Sequence, residues 1–308
     1  MRKFSEGYKM WGSVMAVFLF YAIIFILFED YDRKYIPPFE ETSDWNLLLF
    51  SIVIMLLLGF LLYYYAQRMD KRISHEQMVR QNEMRRQLTN DIAHELKTPV
   101  SSILGYTDTI LNNPDMDEQT RQQFIVRTNN QAQRLAALLQ DISTLNRMDY
   151  APDMLTKERL NVSELITDIV EETAADLAAK QMTFRNCLPE NICIQGNWTL
   201  IYSIFRNLTD NSINYAGHGT TIELSAQQQD SCWAFTFSDN GIGVSDEHLP
   251  RIFERFYRVD KGRSRQMGGT GLGLAIVKNA IVLHGGKIRA SRVAQGGLRF
   301  DFTLKINS

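Results

Sequence analysis

The sequence predicts a multi-domain protein with two membrane-spanning helices, a helical hairpin and a separate α+β domain. Two uncharged apolar segments lie near the start of the 308-residue chain. Helix-forming residues dominate between residues 66 and 150, and from Leu160 onward helices alternate with short β-prone runs. These changes divide the chain into residues 1–65 (two membrane helices and a loop), 66–83 (a helical linker), 84–150 (the hairpin) and 155–308 (the α+β domain).

The two apolar segments, Trp11 to Phe28 and Trp45 to Tyr65, contain no Asp, Glu, Lys or Arg. At 1.5 Å per residue each can cross about 30 Å of hydrocarbon. A signal peptide is the alternative for the first segment, but no small-residue cleavage site precedes Glu29. Basic residues flank the pair, whereas the loop of residues 29–44 holds six acidic residues against two basic ones. This pattern predicts a multi-pass protein of the plasma membrane with both termini in the cytoplasm.

The loop of residues 29–44 is too short to bury a core of its own. We therefore expect no extracytoplasmic sensor domain. A stimulus would act on the two helices, on the surrounding membrane lipid, on the loop itself, or through a partner membrane protein.

The overall composition narrows the class of protein. With 45% apolar residues and a formal charge of −2, the chain is predicted to fold and to bind no nucleic acid. Its three cysteines have no C-x-x-C spacing, so we expect neither a metal site nor a disulfide from them.

Helical patterning predicts the linker and the hairpin. Residues 66–90 contain neither proline nor glycine, so we expect the second membrane helix to continue into the hairpin. Asn112 to Pro114 end the first hairpin helix, and a second helix begins near Asp117 with apolar residues at three-and-four spacing. One hairpin cannot hide both apolar stripes from water, whereas two hairpins can do so as a four-helix bundle. The sequence therefore predicts a homodimer.

The stretch D-I-A-H-E-L-K-T-P, residues 91–99, is the most informative in the chain. At about 100° per residue, His94 points roughly 200° away from the apolar Ile92 and Leu96, so it faces water. Glu95 lies beside the imidazole, and Thr98 is on the same face one turn later. A lone exposed histidine is more often without a special role, but these neighbours and the motifs below favour a nucleophile with an orienting base.

An asparagine pair indicates a magnesium site in the α+β domain. The stretch F-R-N-L-T-D-N-S-I-N-Y, residues 205–215, puts Asn207 and Asn211 four apart on one helix face, with Tyr215 at its end. Two amide oxygens so placed can bind a magnesium ion held by phosphates. Such pairs are more often exposed or capping groups, so this motif depends on its companions.

Two glycine motifs indicate a nucleotide. In D-N-G-I-G, Asp239 follows a predicted strand and can accept a hydrogen bond from the adenine amino group. Gly241 and Gly243 let the backbone pass close to a flat ligand. G-G-T-G-L-G-L, residues 268–274, precedes a helix predicted from about Leu272 to His284. Backbone N–H groups there are expected to meet phosphate oxygens at the helix N-terminus. The residues concerned are Gly269, Thr270, Gly271, Leu272 and Gly273.

The segment between the glycine motifs predicts a lid over the nucleotide. Residues 252–258 alternate aromatic residues that can seat a loop with cations that can reach a triphosphate, Arg258 among them. Lys261, Arg263 and Arg265 follow as further cations.

Together these motifs resemble the sensor histidine kinases of two-component systems. Residues 91–99 resemble their H box, and the later motifs are similar in order to their N, G1, F and G2 boxes, over about Lys71 to Leu304. The resemblance implies a dimerisation and phosphoacceptor hairpin followed by an α+β sandwich of the gyrase and histidine kinase (Bergerat) type, with ATP and Mg²⁺ as cofactors. The membrane region is similar to that of small intramembrane-sensing kinases. One departure is Asn214, which stands where the family commonly has a lysine that approaches phosphate.

The family resemblance also implies a mechanism. His94 takes the γ-phosphoryl group of ATP, Glu95 orients the imidazole, and the phosphoryl group passes to an aspartate of a response-regulator receiver domain. Thr98 is implied to position water in the reverse, phosphatase reaction. Two alternatives stay open: a non-catalytic membrane scaffold that binds ATP, favoured by Asn214, and a gyrase-type ATPase, which would need a catalytic carboxylate in the Asn207 helix.

Overall fold

The computed structural model describes residues 42–150, 155–259, 269–293 and 296–306. The chain divides into two compact units, Met1–Arg86 and Gln87–Ser308. The predicted first membrane segment, Trp11 to Phe28, and most of the loop that follows it lie outside the described residues, as do Lys261, Arg263 and Arg265 of the predicted lid.

The described part of the first unit is helical. It belongs to helix α1, Thr42–Leu111, which has 70 residues and continues without a break through residues 66–90. Within the residues that the structure describes, Ser51–Glu76 is the one segment long and apolar enough to cross a membrane, and it overlaps the second predicted span. Its apolar side chains, such as Leu56 and Phe60, are exposed.

The second unit begins with the hairpin. Helix α1 ends at Leu111, and helix α2 spans Glu118–Tyr150, so the predicted turn around Pro114 separates the two helices. Asp117 accepts a hydrogen bond from the Thr120 N–H (2.8 Å) and caps the start of α2. Pro99 lies inside α1, where it is buried.

The hairpin of a single chain has two different apolar surfaces. On α2, Leu138, Leu145 and Met148 are buried in the main hydrophobic core of the unit. A second set of apolar side chains stays exposed: Val100, Leu104, Leu111, Ile125, Val126 and Leu139. The predicted apolar stripe of α2 is therefore split, because part of it contacts the α+β domain of the same chain and part, including Leu139, remains open.

The α+β domain contains seven strands and three helices among its described residues. In chain order they are β1 Glu158–Asn161, α3 Val162–Ala179, β2 Thr183–Cys187, β3 Cys193–Gly196, α4 Trp198–Tyr215, β4 Thr221–Gln229, β5 Cys232–Asp239, α5 Gly273–Leu283, β6 Ile288–Arg292 and β7 Leu298–Lys305. Strand β5 ends at Asp239, where a strand was predicted, and helix α5 agrees with the prediction of about Leu272 to His284 within one residue at each end.

The strands form two sheets. Five of them make the main sheet in the order β2-β4-β5-β7-β6, and β1 pairs with β3 in a small antiparallel ribbon. In the main sheet only the pair β2–β4 is parallel, with Thr183 opposite Thr221; the other pairs are antiparallel. Because Asp239 ends β5 and Leu298 begins β7, the two strands bring the first glycine motif to one end of the sheet.

The core lies between the main sheet and the helices. Phe205 of α4 packs edge-on against Phe235 of β5, and Phe235 stacks on Phe302 of β7, with ring centroids 5.5 and 5.2 Å apart. Aromatic pairs of this kind add to the burial of apolar area. This packing fixes the face of α4 that carries the asparagine pair relative to the end of β5.

Candidate active site

The predicted phosphoacceptor lies on the surface of α1. The His94 side chain is 70% exposed, and Glu95 Oε1 lies 4.0 Å from His94 Nδ1, which leaves Nε2 as the nitrogen directed away from the carboxylate. The distance is in ion-pair range but longer than a hydrogen bond. The Thr98 hydroxyl donates to the His94 carbonyl oxygen (3.4 Å), so Thr98 lies one turn along the same face. The structure thus brings together the three residues that the sequence selected here.

Sequence reasoning missed the partners of the second Glu95 oxygen. Oε2 lies 3.8 Å from Arg134 Nη2 on α2 and 3.7 Å from Arg258 Nη2 of the α+β domain. One carboxylate therefore has one oxygen towards the imidazole and the other between two guanidinium groups. No spacing in the sequence could reveal this arrangement, because the three side chains come from distant segments.

A cavity of about 360 Å³ lies beside α4 and the glycine motifs. Ten of the predicted nucleotide residues line it: Asn207, Asn211, Tyr215, Asp239, Gly243, Arg258, Gly269, Thr270, Gly271 and Gly273. Its apolar lining includes Ile242, Ile252 and Leu298. The mixture of apolar walls with a few convergent polar groups is typical of a small-molecule site.

Two predicted residues do not line the cavity. Leu272 is fully buried in the hydrophobic core, and its backbone N–H donates to the Thr270 hydroxyl (3.2 Å). Gly241 contributes indirectly, because its N–H donates to Asp239 Oδ1 (3.0 Å). A Cβ at Gly241 would lie 2.3 Å from the Ala216 carbonyl oxygen, so only glycine fits between this turn and the end of α4.

Asp239 is held at the cavity wall by donors from three elements. Its Oδ1 accepts from the Gly241 N–H (3.0 Å) and the Leu298 N–H (3.3 Å), and its Oδ2 accepts from the Ser212 hydroxyl (2.9 Å). The residue is 6% exposed. The carboxylate is therefore fixed in one orientation, as an acceptor for a ligand donor in the cavity must be. Ser212, which follows Asn211 directly, was not predicted.

The asparagine pair lies on the face of α4 that borders the cavity. Asn207 Nδ2 donates to the Ser203 carbonyl oxygen (2.7 Å), which directs Oδ1 towards Gly273. A Cβ at Gly273 would lie 2.4 Å from that oxygen, so the start of α5 can approach α4 only with glycine. Asn207 and Asn211 both line the cavity, and an amide oxygen is a ligand type that Mg²⁺ accepts.

Asp210 is a cavity residue that the sequence analysis did not select. Both of its carboxylate oxygens accept from Arg206 Nε at 3.0 Å. Burial raises the Asp210 pKa above its usual value, and Arg206 opposes that rise. Arg206 therefore holds this carboxylate in an ion pair at the cavity wall.

The structure describes the segment that was predicted as a lid as far as Val259. Ile252 is buried, Phe253 packs on Phe300 (6.2 Å between ring centroids), and the Tyr257 hydroxyl lies 2.7 Å from His248 Nδ1. The aromatic residues thus seat the segment, as predicted. The Arg258 side chain is only 7% exposed and also donates to the Gly269 carbonyl oxygen.

Comparisons with known proteins match two domains, which correspond to the hairpin and the α+β domain. Residues 84–151 match the His Kinase A (phospho-acceptor) domain, and residues 196–308 match the histidine kinase-, DNA gyrase B- and HSP90-like ATPase domain. The chain is 32% identical over 249 residues to the sensor protein kinase WalK of Staphylococcus aureus, covering 80% of this chain and 59% of the relative. For WalK of strain JH9 the match covers only 40% of the relative, so the chain spans about half the length of these curated proteins.

Two solved structures share the fold. The histidine kinase AdeS of Acinetobacter baumannii has a TM-score of 0.58 and 22% identity, over 70% of this chain and 98% of AdeS. The histidine kinase ThkA, solved in complex with the response regulator protein TrrA, has a TM-score of 0.59 and 21% identity, over 71% of this chain and 61% of ThkA.

Proposed function

This chain belongs to the sensor histidine kinases of two-component systems, and from that premise we propose that it phosphorylates His94 with ATP and passes the phosphoryl group to an aspartate of a response regulator. The observation that carries this proposal is an exposed imidazole with a carboxylate at Nδ1, in the same unit as a cavity lined by Asn211, Asp239 and Thr270. The curated relatives reported above are named sensor protein kinase WalK, and ThkA was solved in complex with a response regulator protein.

The chemistry assigned to His94 is in-line phosphoryl transfer. The Nε2 lone pair attacks the γ-phosphorus, the bond from that phosphorus to the bridging oxygen breaks, and ADP leaves. Glu95 faces the Nδ1–H, so its carboxylate stabilises the positive charge that develops on the ring. Thr98, one turn along, is placed to hold water in the reverse hydrolysis of the regulator's acyl phosphate.

The cavity residues fit a magnesium nucleotide. Asp239 would accept a hydrogen bond from the adenine amino group, and Thr270 with its flanking glycines would face the phosphates. Asn207 and Asn211 would hold Mg²⁺, which when bound neutralises phosphate charge. Among the described residues that line the cavity, Arg258 is the only cation, so it supplies the charge that a lysine at position 214 would give in other family members.

We also infer a membrane-anchored homodimer. The exposed apolar set on the hairpin, including Leu104 and Leu139, matches the surface that a four-helix bundle would bury. The segment Ser51–Glu76 supports an anchor, and the uncharged Trp11 to Phe28 supports a second span with both termini in the cytoplasm. Lipid or a partner membrane protein would then deliver the stimulus.

The deciding experiment is labelling of the full-length protein in nanodiscs with ATP that carries a radioactive γ-phosphate. We expect an acid-labile, base-stable label that is lost in His94→Gln. His75→Gln is the matched control, because His75 is another exposed histidine on α1 and should leave the label intact. ATP binding without any label would support the scaffold alternative, and steady hydrolysis without a phosphoprotein would support the gyrase-type ATPase.

Mixed dimers test whether transfer is within or between chains. One subunit carries His94→Gln and the other Asn211→Ala, so each retains one half of the reaction. Label on the subunit that carries Asn211→Ala requires transfer between chains, and its absence in the mixed dimer indicates transfer within one chain.

A further inference from the structure

Two carboxylates of the hairpin contact groups of the nucleotide cavity. The Thr270 hydroxyl donates to Asp141 Oδ2 (2.7 Å), and Arg258 Nη2 lies 3.7 Å from Glu95 Oε2. Thr270 and Arg258 both line the cavity. The hairpin therefore presents anionic oxygens to the same side chains that would face the phosphates of ATP.

These contacts are shielded from water, which increases their electrostatic effect. Arg258 is 7% exposed and Glu95 18% exposed. Burial raises the pKa of Asp141, and the hydrogen bond from Thr270 opposes that rise. A second anion brought to Thr270 or Arg258 would meet a carboxylate already in place, and like charges at such distances in a partly buried site repel strongly.

The cavity has little other positive charge to offer. Arg258 is the only cation of its described lining, while Asp210 and Asp239 are both acidic. Asn214 is neutral where a lysine is common in the family. A triphosphate bound here would therefore depend on Arg258 more than in a family member that has both this arginine and a lysine at position 214.

A third polar contact joins the same two parts of the unit without involving the cavity. Arg255 Nη2 lies 2.7 Å from Asp149 Oδ2 in a forked ion pair, and Arg255 is not part of the cavity lining. Leu138 and Leu145 of α2 are also buried against the α+β domain. This anchor provides an internal comparison, because it holds the hairpin without competing for phosphate groups.

We propose that Asp141 and Glu95 occupy the positions of phosphate oxygens, so that the hairpin and the nucleotide compete for Thr270 and Arg258. The proposal rests on the nucleotide role of the cavity given above. Asp141 then helps to determine how the site distinguishes ATP, ADP and adenosine, since its competition with the ligand grows with the number of phosphates. When ATP takes Arg258, Glu95 Oε2 loses that partner and keeps Arg134, while Oε1 still faces the His94 imidazole.

The test is a set of dissociation constants for MgATP, MgADP and adenosine, measured by calorimetry on the full-length protein in nanodiscs. Asp141→Asn keeps an acceptor for Thr270 but removes the charge. We expect this variant to lower the dissociation constant of MgATP by about fivefold and that of MgADP by about twofold, and to leave that of adenosine unchanged. The effect should be larger at low salt. Asp149→Asn, the matched control, removes a charge from the same interface away from the cavity and should leave the ratio of ATP to adenosine affinity unchanged.

Glu95→Gln provides a second variant if Asp141→Asn lowers the melting temperature. It should also tighten MgATP selectively, while it slows labelling of His94. Unchanged MgATP affinity in both variants, or an equal gain for adenosine, would overturn the competition. An equal shift in Asp149→Asn would also overturn it, since it would indicate general loosening of the interface. If the unmodified protein does not bind ATP or does not label His94, the proposed function is wrong. If His94 is labelled normally but the variants keep the same ratio of ATP to adenosine affinity, only the competition is wrong.

Discussion

Replacement of Asp239 by asparagine tests the central contact of the nucleotide site. The carboxylate accepts hydrogen bonds from Gly241, Leu298 and Ser212, and its position at the cavity wall suits the adenine amino group. Asparagine has nearly the same shape, so its oxygen can still accept from the two backbone N–H groups. Its Nδ2, however, replaces the other acceptor by a donor that would face the adenine amino hydrogens.

The expected loss follows from the type of bond that is removed. A hydrogen bond to a charged group contributes about 1.5–3 kcal/mol, which corresponds to about a tenfold to hundredfold weaker dissociation constant for ATP. The fold should survive, because the Ser212 hydroxyl can turn to accept from Nδ2. Since guanine carries an acceptor where adenine carries its amino group, the preference for ATP over GTP should fall as well.

Calorimetric titration of ATP and GTP, with thermal melting of each variant, measures both effects. Ser212→Ala is the control: it removes one donor to Asp239 but leaves both carboxylate oxygens, so ATP affinity should fall less than about fivefold. If Asp239→Asn binds ATP as tightly as the unmodified protein, Asp239 serves only to join the strands and the glycine turn, and the adenine assignment is wrong.

Three further predictions concern stability and phosphate binding. Gly241→Ala would place a Cβ 2.3 Å from the Ala216 carbonyl oxygen, so urea denaturation should show a loss of about 2–3 kcal/mol in unfolding free energy; unaltered stability would contradict the packing. Burial lowers the pKa of His284 below 6.5, and its Nε2 accepts from the Asn197 N–H, so the neutral ring is the folded form. As pH falls below about 6.5 the unfolded chain takes up a proton that the folded protein resists, and stability should decline by up to about 1.4 kcal/mol per pH unit, a slope that His284→Gln should reduce. Asn214→Lys adds a cation to the cavity and should lower the dissociation constant of ATP in the same titrations. A higher constant would show that this position does not approach phosphate.

Local patterns predicted local features well. The exposure of His94, the turn around Pro114 and the strand that leads to Asp239 all depend on neighbours a few residues apart, where helical and strand periodicity apply. The sequence also selected ten of the twenty described residues that line the cavity, because each motif contributes a short run of residues. Leu272 was selected with its glycine neighbours for its backbone N–H, but that N–H donates to the Thr270 hydroxyl and the side chain is buried in the core.

The contacts that the sequence could not reveal are those between distant segments. Arg134 and Arg258 both lie near Glu95 Oε2, although more than a hundred residues of sequence separate the two arginines. The Thr270 hydroxyl donates to Asp141 across a similar separation in sequence. No periodicity encodes such contacts, because they depend on how the α+β domain packs against the hairpin. Ser212 was missed for a different reason: a serine inside a helix is ordinary until the strand end that it faces is known.

Pro99 has one more consequence for the region around His94. A proline inside a helix has no amide hydrogen to donate, and its ring crowds the turn before it, so that turn resists bending less than the rest of a long rod. His94 lies directly before that turn. We expect α1 to bend there more readily than elsewhere in its hairpin part, and such a bend would change the direction in which the imidazole projects and so which partner it can meet.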